Sequence, residues 1–239
     1  SDIGALTEDY SETASDIIDK VVNLGSSRLS VEKSDRVESV ILCKNETSFK
    51  IKSFFPELWK RENPYLILID GIVESVSEIH HALEFSSEDK KPLAIVARGF
   101  STEVLRTVNV NNARGSIDVC LIHTGFDEKT INIFSDLKAC TGLDVISSDK
   151  GDVISVCVRR GIESISTISA DFNECSFYAR GRDIDIARQI EYLLMRQEEF
   201  KYGDLVDFYS DRILSLSAQS TRVLVGSDDR KYNPGIVGE

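Results

Sequence analysis

Apolar residues in the centre of this chain form short continuous runs, separated by stretches in which they recur every three or four positions. The runs cover residues 65–69, 93–97, 117–122 and 144–146, and each has the length and character of a buried strand. Alternating strands and helices predict an α/β fold with a parallel sheet and right-handed crossovers. The residues with helical spacing are Val76, Ile79 and Leu83, then Val104 and Val108, then Ile131, Phe134 and Leu137.

The region before this centre has a mixed pattern. Its spacing predicts a helix over residues 14–22 and a short strand over 29–32. Further strands are predicted between residues 37 and 55, with a polar turn at 44–46.

The region after the centre predicts a ribbon and a helix pair. Residues 164–179 alternate as in an antiparallel ribbon, and residues 184–217 form two helices joined by a short link that contains Gly203. The final predicted strand covers residues 221–225.

Charge and cysteine content narrow the class of protein. The 239 residues include 28 Lys and Arg against 40 Asp and Glu, a formal charge of −12, so we expect no nucleic-acid partner, because phosphate contacts need clustered basic side chains. No apolar run approaches the roughly 20 residues that cross a bilayer, and the acidic N-terminus lacks a signal-peptide pattern. The five cysteines form no C-x-x-C pair. We expect buried cysteines and a cytoplasmic protein with no metal site and no membrane partner.

Two polar residues follow strands at the carboxyl edge of the predicted sheet, where open parallel sheets bind ligands. They are Asp70 and His123, and they support the hypothesis of a small-molecule enzyme. No G-x-S-x-G motif and no glycine-rich phosphate loop accompany them, and the alternative is that both belong to turns. His80 and His81 are neighbours on a helix, point about 100° apart and do not chelate one metal ion together.

Apolar residues outside the buried helix stripes favour a different class of function, protein binding. Leu105 and Val110 lie off the stripe that their helix buries, and Phe54, Phe55 and Trp59 add aromatic surface in a short segment. A contiguous apolar patch marks a binding surface, whereas scattered exposed apolar residues need no explanation. The pattern by itself leaves both interpretations open.

Residues 64–151 also carry five short motifs in a fixed order. They are the strand Pro64-Tyr65-Leu66-Ile67-Leu68-Ile69, the strand Lys91-Pro92-Leu93-Ala94-Ile95-Val96-Ala97, the helix end Asn111-Asn112-Ala113-Arg114-Gly115, the turn Gly125-Phe126 and the strand Thr141-Gly142-Leu143-Asp144-Val145-Ile146-Ser147. In order and spacing they resemble the apical domain of the group I, GroEL-type chaperonins. Weaker likeness to the intermediate domain of that family lies in Leu29-Ser30-Val31-Glu32 and in Arg222-Val223-Leu224-Val225-Gly226.

The resemblance implies an α/β fold with a GroEL apical-domain-like parallel sheet, flanking helices and β-ribbons, plus a small α/β intermediate-domain segment. Residues 1–43 and 220–239 would be intermediate-domain-like, and residues 44–219 the apical, polypeptide-binding domain. The Gly-Asp-Gly-Thr-Thr phosphate loop and the rest of the family's equatorial domain have no counterpart in the sequence. We therefore expect no ATP or magnesium cofactor and no enzymatic activity on this chain.

The resemblance also implies a binding site and partners. Chaperonin apical domains capture non-native polypeptides, and the mobile loop of a cochaperonin, in a groove between two helices bordered by an aromatic segment. Two of the corresponding positions, His80 and Asn109, are aliphatic in the family, which implies a narrower or more polar set of clients. The expected partners are unfolded clients, a cochaperonin and, in a ring, further copies of the chain. By position the site residues are Phe54, Phe55, His80, Leu83, Leu105, Asn109 and Val110.

Two origins fit these observations equally. By the resemblance, the chain would be either part of a full-length chaperonin or a short, divergent homologue, for example from a virus or an unusual bacterium.

Overall fold

A computed structural model describes residues 6–7, 28–34, 40–44, 47–55, 57–127, 130–200, 203–217 and 220–226. The strands are β1 (Leu6–Thr7), β2 (Arg28–Ser34), β3 (Val40–Lys44), β4 (Thr47–Phe49), β5 (Lys52–Ser53), β6 (Trp59–Glu62), β7 (Tyr65–Val73), β8 (Leu93–Phe100), β9 (Val119–His123), β10 (Val145–Ser147), β11 (Glu163–Ser164), β12 (Thr167–Ala170), β13 (Cys175–Tyr178) and β14 (Ser220–Gly226). The helices are α1 (Val76–Glu88), α2 (Thr102–Ala113), α3 (Ile133–Thr141), α4 (Ile154–Arg159), α5 (Asp183–Glu198) and α6 (Asp204–Ser217).

The chain divides into two compact units. One comprises residues 1–46 with 218–239, and the other comprises residues 47–217. In the first unit, β14 pairs parallel to β2 and antiparallel to β3, and β1 pairs with β3. The predicted strands at 29–32 and 221–225 are confirmed, whereas the helix predicted at 14–22 lies outside the described residues. The identification of the units as intermediate and apical domains stays a prediction.

The parallel sheet predicted for the centre is confirmed in the second unit. Its order is β10-β7-β8-β9-β5, in which β10, β7, β8 and β9 are parallel and the short β5 and β11 are antiparallel additions to β9 and β7. The central strands are apolar along most of their length because both faces of the sheet are covered. The register places Ile69, Ala97 and His123 side by side on β7, β8 and β9.

One face of this sheet, which we call the two-helix face, is covered by α1 and α2. Each helix begins at a serine cap: Ser75 forms a capping box with Glu78, and the Ser101 hydroxyl accepts from the backbone N–H of Val104. The cluster beneath them contains alternate strand residues and the inward helix residues, with Val158 of the neighbouring α4. Its most buried helix residues are Ile79, Ala82, Val104 and Val108.

The opposite face, which we call the layered face, is covered by more elements. An antiparallel sheet of order β4-β13-β12-β6 packs there together with α3, α5 and α6. The predicted ribbon and helix pair are thus confirmed. The core on this face includes Trp59, Leu137, Phe177 and Leu193, which are almost completely buried.

Two expectations of burial are wrong. Trp59 is completely buried and does not add aromatic surface, because its indole N–H donates to Asp118 Oδ1 at 2.7 Å while the ring packs in the layered core. Ile131 precedes α3 and is exposed, because Ile133 takes the buried position and the Ile131 carbonyl accepts from Arg98 at 2.7 Å.

Candidate functional site

The two helices of the two-helix face lie in contact and leave their outer sides open to solvent. Both follow parallel strands, so both begin at the carboxyl edge of the sheet and run in the same direction. Their inward residues already fill the core, so the outward residues form a separate surface.

The structure places five of the predicted site residues on this outer surface. Leu83 on α1 and Leu105 on α2 are half-buried and pack against the margin of the core cluster. Val110 is 42% exposed, and His80 and Asn109 are exposed. The predicted site residues on the two helices thus comprise three apolar side chains and one polar residue on each helix.

The two phenylalanines of the predicted aromatic segment lie on different faces of the sheet. The backbone N–H of Phe54 donates to the Leu121 carbonyl, and its ring packs edge-on against Phe100 with ring centroids 6.1 Å apart. Phe55 packs against the core of the layered face. Of the two rings, only that of Phe54 therefore adjoins the two-helix face.

A small network of polar contacts covers the solvent side of α1. Glu84 Oε1 lies 3.1 Å from His80 Nε2, and Glu84 Oε2 lies 3.0 Å from His81 Nδ1. Arg159 of α4 donates from Nε to His81 Nε2 at 3.2 Å. Because an arginine only donates, His81 Nε2 acts as an acceptor, which places the ring proton on the Nδ1 that faces Glu84.

Asp70 and His123, the residues of the enzyme hypothesis, are not brought together. Asp70 Oδ1 accepts from Arg98 Nε at 2.7 Å, and the guanidinium also donates to the carbonyls of Gly125, Thr130 and Ile131. The two residues lie on strands separated by β8, and the alternation of side chains directs Asp70 to the layered face and His123 to the two-helix face. The geometry gives Asp70 a role in fixing the loop after β9.

Two residues of the site region were missed by sequence reasoning. Phe100 ends β8, packs against the core of the two-helix face and carries Phe54 on its ring. Arg98 is 5% exposed, with its guanidinium over the Phe134 ring at 4.9 Å. One feature of the sequence could have indicated the role of Arg98, namely a basic residue at the end of an otherwise apolar strand. A charge that is buried at such a position requires a partner.

The described residues contain no group of three or more His, Cys, Asp or Glu side chains that could hold a metal ion. None of the described helices is both long and apolar enough to span a membrane.

Cys120, Cys140 and Cys175 are buried free thiols as expected, whereas Cys157 is only half-buried.

No protein-family profile matches the chain. Among solved structures, the chain is similar to the chaperonin gp146 from bacteriophage EL 2 (Pseudomonas aeruginosa), determined in the presence of ATP-BeFx. The TM-score is 0.61 at 14% sequence identity, over 90% of this chain and 45% of that chain. The chain thus has a chaperonin-like fold and spans less than half the length of that chaperonin. The narrower description as an apical domain stays a prediction.

Proposed function

We propose that this chain is the polypeptide-binding part of a chaperonin-type protein and assists folding by capturing apolar segments of non-native proteins on the outer surface of α1 and α2. The observation that carries the proposal is that Val110 is 42% exposed, and Leu83 and Leu105 are only half-buried, on neighbouring helices whose inward sides are already filled. The fold similarity to a phage chaperonin supports the same function.

A single copy of this surface would bind a client segment only weakly. Burial of apolar surface contributes about 25 cal/mol per Å², and ordering of a flexible client segment offsets much of that gain. Assembly of several copies in a ring would raise the affinity, because a client bound at one site meets the next at a high effective concentration. The proposal therefore includes a ring and predicts weak binding by a single copy.

The polar members of the site would narrow the choice of clients. His80 and Asn109 are exposed where the resemblance leads us to expect aliphatic residues. Burying them against an apolar client would cost free energy unless the client supplied hydrogen-bond partners. The site would therefore favour segments that combine apolar and polar side chains, among them the mobile loop of a cochaperonin.

Capture in this proposal involves no chemical step on the chain. Asp70 forms an ion pair with Arg98. None of the contacts of Asp70 and His123 described above favours the enzyme hypothesis. If the chain is part of a full-length chaperonin, ATP binding and hydrolysis would belong to the equatorial domain of that protein. We propose that the chain itself acts in the cytoplasm.

The test compares Leu83→Glu and Leu105→Glu with Leu205→Glu on the layered-face helix α6, where the leucine is 49% exposed. We expect the first two variants to lose suppression of aggregation of a chemically unfolded client, and Leu205→Glu and Asp70→Ala to retain it. The fluorescence of the single, buried Trp59 shows whether each variant is folded. Unchanged suppression by folded Leu83→Glu and Leu105→Glu would contradict the proposal, and loss of an enzymatic turnover in Asp70→Ala would support the enzyme hypothesis.

A further inference from the structure

The central parallel sheet ends at β10, whose neighbour within that sheet is β7. The outermost strand of a sheet presents a row of backbone N–H and C=O groups to which a strand of another molecule can add. The residues of β10 suit such an addition, because Val145 belongs to the core of the layered face and Ile146 packs against the core of the two-helix face. An added strand would therefore continue both apolar faces of the sheet.

The turn that follows β10 folds back on the outer side of this strand, and we call residues 148–152 the edge turn. The Ser147 N–H donates to Asp152 Oδ2 at 3.1 Å, and the Asp152 N–H donates to the Ser147 carbonyl at 3.2 Å. Lys150 Nζ donates to the Val145 carbonyl at 2.9 Å. Alternate residues of a strand direct their backbone groups to opposite sides, so Val145 and Ser147 both face away from β7. The edge turn thus binds both outward groups of Ser147 and the outward carbonyl of Val145.

Asp152 reproduces the contact that a neighbouring strand would make with Ser147. A strand residue at this position would offer one acceptor and one donor. Asp152 offers both, the acceptor from its carboxylate and the donor from its backbone. The chain then continues into α4 and not along β10, so the pairing stops at this residue. The return of the chain requires Gly151, whose φ of 77° lies in the left-handed region.

The opposite end of the sheet is covered in a different way. There the short β5 pairs with β9, and the Ser53 N–H donates at 3.0 Å to the carbonyl of Asp171, which links β12 to β13. The antiparallel sheet of the layered face thus contributes cover at β5, whereas at β10 the cover comes from the edge turn. Its residues Ser148, Asp149 and Lys150 are polar or charged and exposed, as is typical of protected sheet edges.

We infer that the edge turn prevents a second copy of this chain from pairing with β10. A second copy is the partner that we assign, because two identical edge strands can pair symmetrically, each offering the other the same apolar residues and the same outward backbone groups. The inference concerns association of the protein with itself and does not depend on the proposed function.

The experiment measures the self-association of the full chain by sedimentation velocity, at protein concentrations from about 5 to about 100 µM. The test variant combines Asp152→Ala with Lys150→Met, which removes the carboxylate acceptor and the ammonium donor and leaves the formal charge at −12. We expect its weight-average mass at the highest concentration to be at least about 1.5 times that of the wild type, because the outward groups of β10 become available for pairing.

Two matched double variants serve as controls. Asp152→Asn with Lys150→Arg retains an acceptor and a donor at the same positions, and we expect it to associate no more than the wild type. Asp149→Ala with Lys90→Met introduces the same side chains as the test variant at two exposed positions and also preserves the charge. We expect wild-type behaviour from this variant too.

Two further measurements make the result decisive. The fluorescence of Trp59 shows whether each variant is folded, and hydrogen exchange of residues 143–148 locates the contact. We expect this segment of the test variant to exchange faster than in the wild type when dilute and more slowly once associated. If the double substitution prevents folding, Lys150→Met alone, which changes an exposed side chain, is measured in its place.

A folded test variant with the mass of the wild type at every concentration would overturn the inference. Equal association of either control variant would overturn it as well, since the effect would then come from added apolar surface or from substitution as such and not from loss of the bonds to β10.

Discussion

The two faces of the central sheet receive similar apolar side chains but are covered differently. On the layered face, three helices and a second sheet enclose the core, and even the ionic pair Asp136 and Arg212 is sealed inside it, with side chains 3% and 10% exposed. On the two-helix face, the residues that seal the core and the residues that face solvent lie on the same two helices. The comparison shows that the same two helices can seal one face of a sheet and also present side chains to solvent.

The exposure of apolar side chains does not by itself distinguish the two faces of the sheet. The helices of the layered face also expose apolar residues, such as Leu194 and Leu214. What distinguishes the two-helix face is that its half-buried Leu83 and Leu105 pack against the core cluster, as does Phe100, on whose ring Phe54 packs. Scattered exposed residues lack such continuity and need no function.

The largest expected effect concerns the sealed ion pair of the layered face. Arg212 donates from Nε and Nη2 to Asp136 at 2.8 and 2.9 Å, and Gln189 donates to the same carboxylate. Arg212→Ala leaves a buried carboxylate without its cation, so we expect the free energy of unfolding to fall by about 3–5 kcal/mol. Urea unfolding followed by Trp59 fluorescence measures this change.

The control for that experiment is Arg188→Ala, since the Arg188 side chain is 75% exposed and its pairing with Asp185 is loose, at 3.8 Å. We expect a change of less than about 0.5 kcal/mol for the control. A loss of under about 1 kcal/mol for Arg212→Ala would show that water reaches Asp136 and that the layered face is not sealed.

The next effect concerns thiol reactivity. Burial raises the pKa of Cys120 to about 12, and burial also raises the pKa values of Cys140 and Cys175, all three in the layered core. Because the thiolate is the reactive form, we expect half-buried Cys157 to be alkylated at least about 100-fold faster at pH 8 than these three. Mass spectrometry of native protein treated with iodoacetamide gives the rates, and comparable labelling of Cys120 would contradict a closed layered face.

The smallest expected effect concerns a surface pair at the end of α3. Lys138 Nζ lies 2.6 Å from Asp144 Oδ1, and this hydrogen bond, followed by the charge of the ammonium, lowers the pKa of Asp144 below 3.8. A lowered carboxyl pKa stabilises the fold above about pH 5 and loses that contribution as the pH falls through the lowered value.

Asp144→Asn should therefore cost less than about 0.5 kcal/mol at pH 7, because the pair is exposed to solvent. The difference from wild type should shrink further at pH 3. Urea unfolding at the two pH values measures it, and a difference that grows on acidification would contradict this assignment.

Much of the second unit could be predicted from sequence because its signals are local. Continuous apolar runs marked β7, β8 and β9, and the spacing of Val104 and Val108 marked the buried side of α2. The place of Val110 could be predicted in the same way, since a residue far from the buried stripe of a helix faces solvent, whereas Leu105, at the edge of that stripe, is half-buried.

The rest of the fold and of the candidate site depends on contacts between residues that are far apart in the sequence. The burial of Trp59 depends on a hydrogen bond to Asp118, and the place of Arg98 depends on carbonyls in a loop about thirty residues later. Phe54 and Phe55 looked equivalent in sequence, but the pairing of β5 with β9 decides which ring adjoins the helices. Short strands such as β5 and β11 lack a periodic signal of their own.

The most direct test of the central claim compares one glutamate on each face. Val110 on the two-helix face is 42% exposed and Leu194 on the layered face is 46% exposed, so either residue can be replaced by Glu at similar cost to folding. The measurement is the dissociation constant of an uncharged apolar peptide by fluorescence anisotropy. The account predicts at least about tenfold weaker binding for Val110→Glu and less than about twofold change for Leu194→Glu. Equal effects of the two substitutions, or a larger effect of Leu194→Glu, would contradict it.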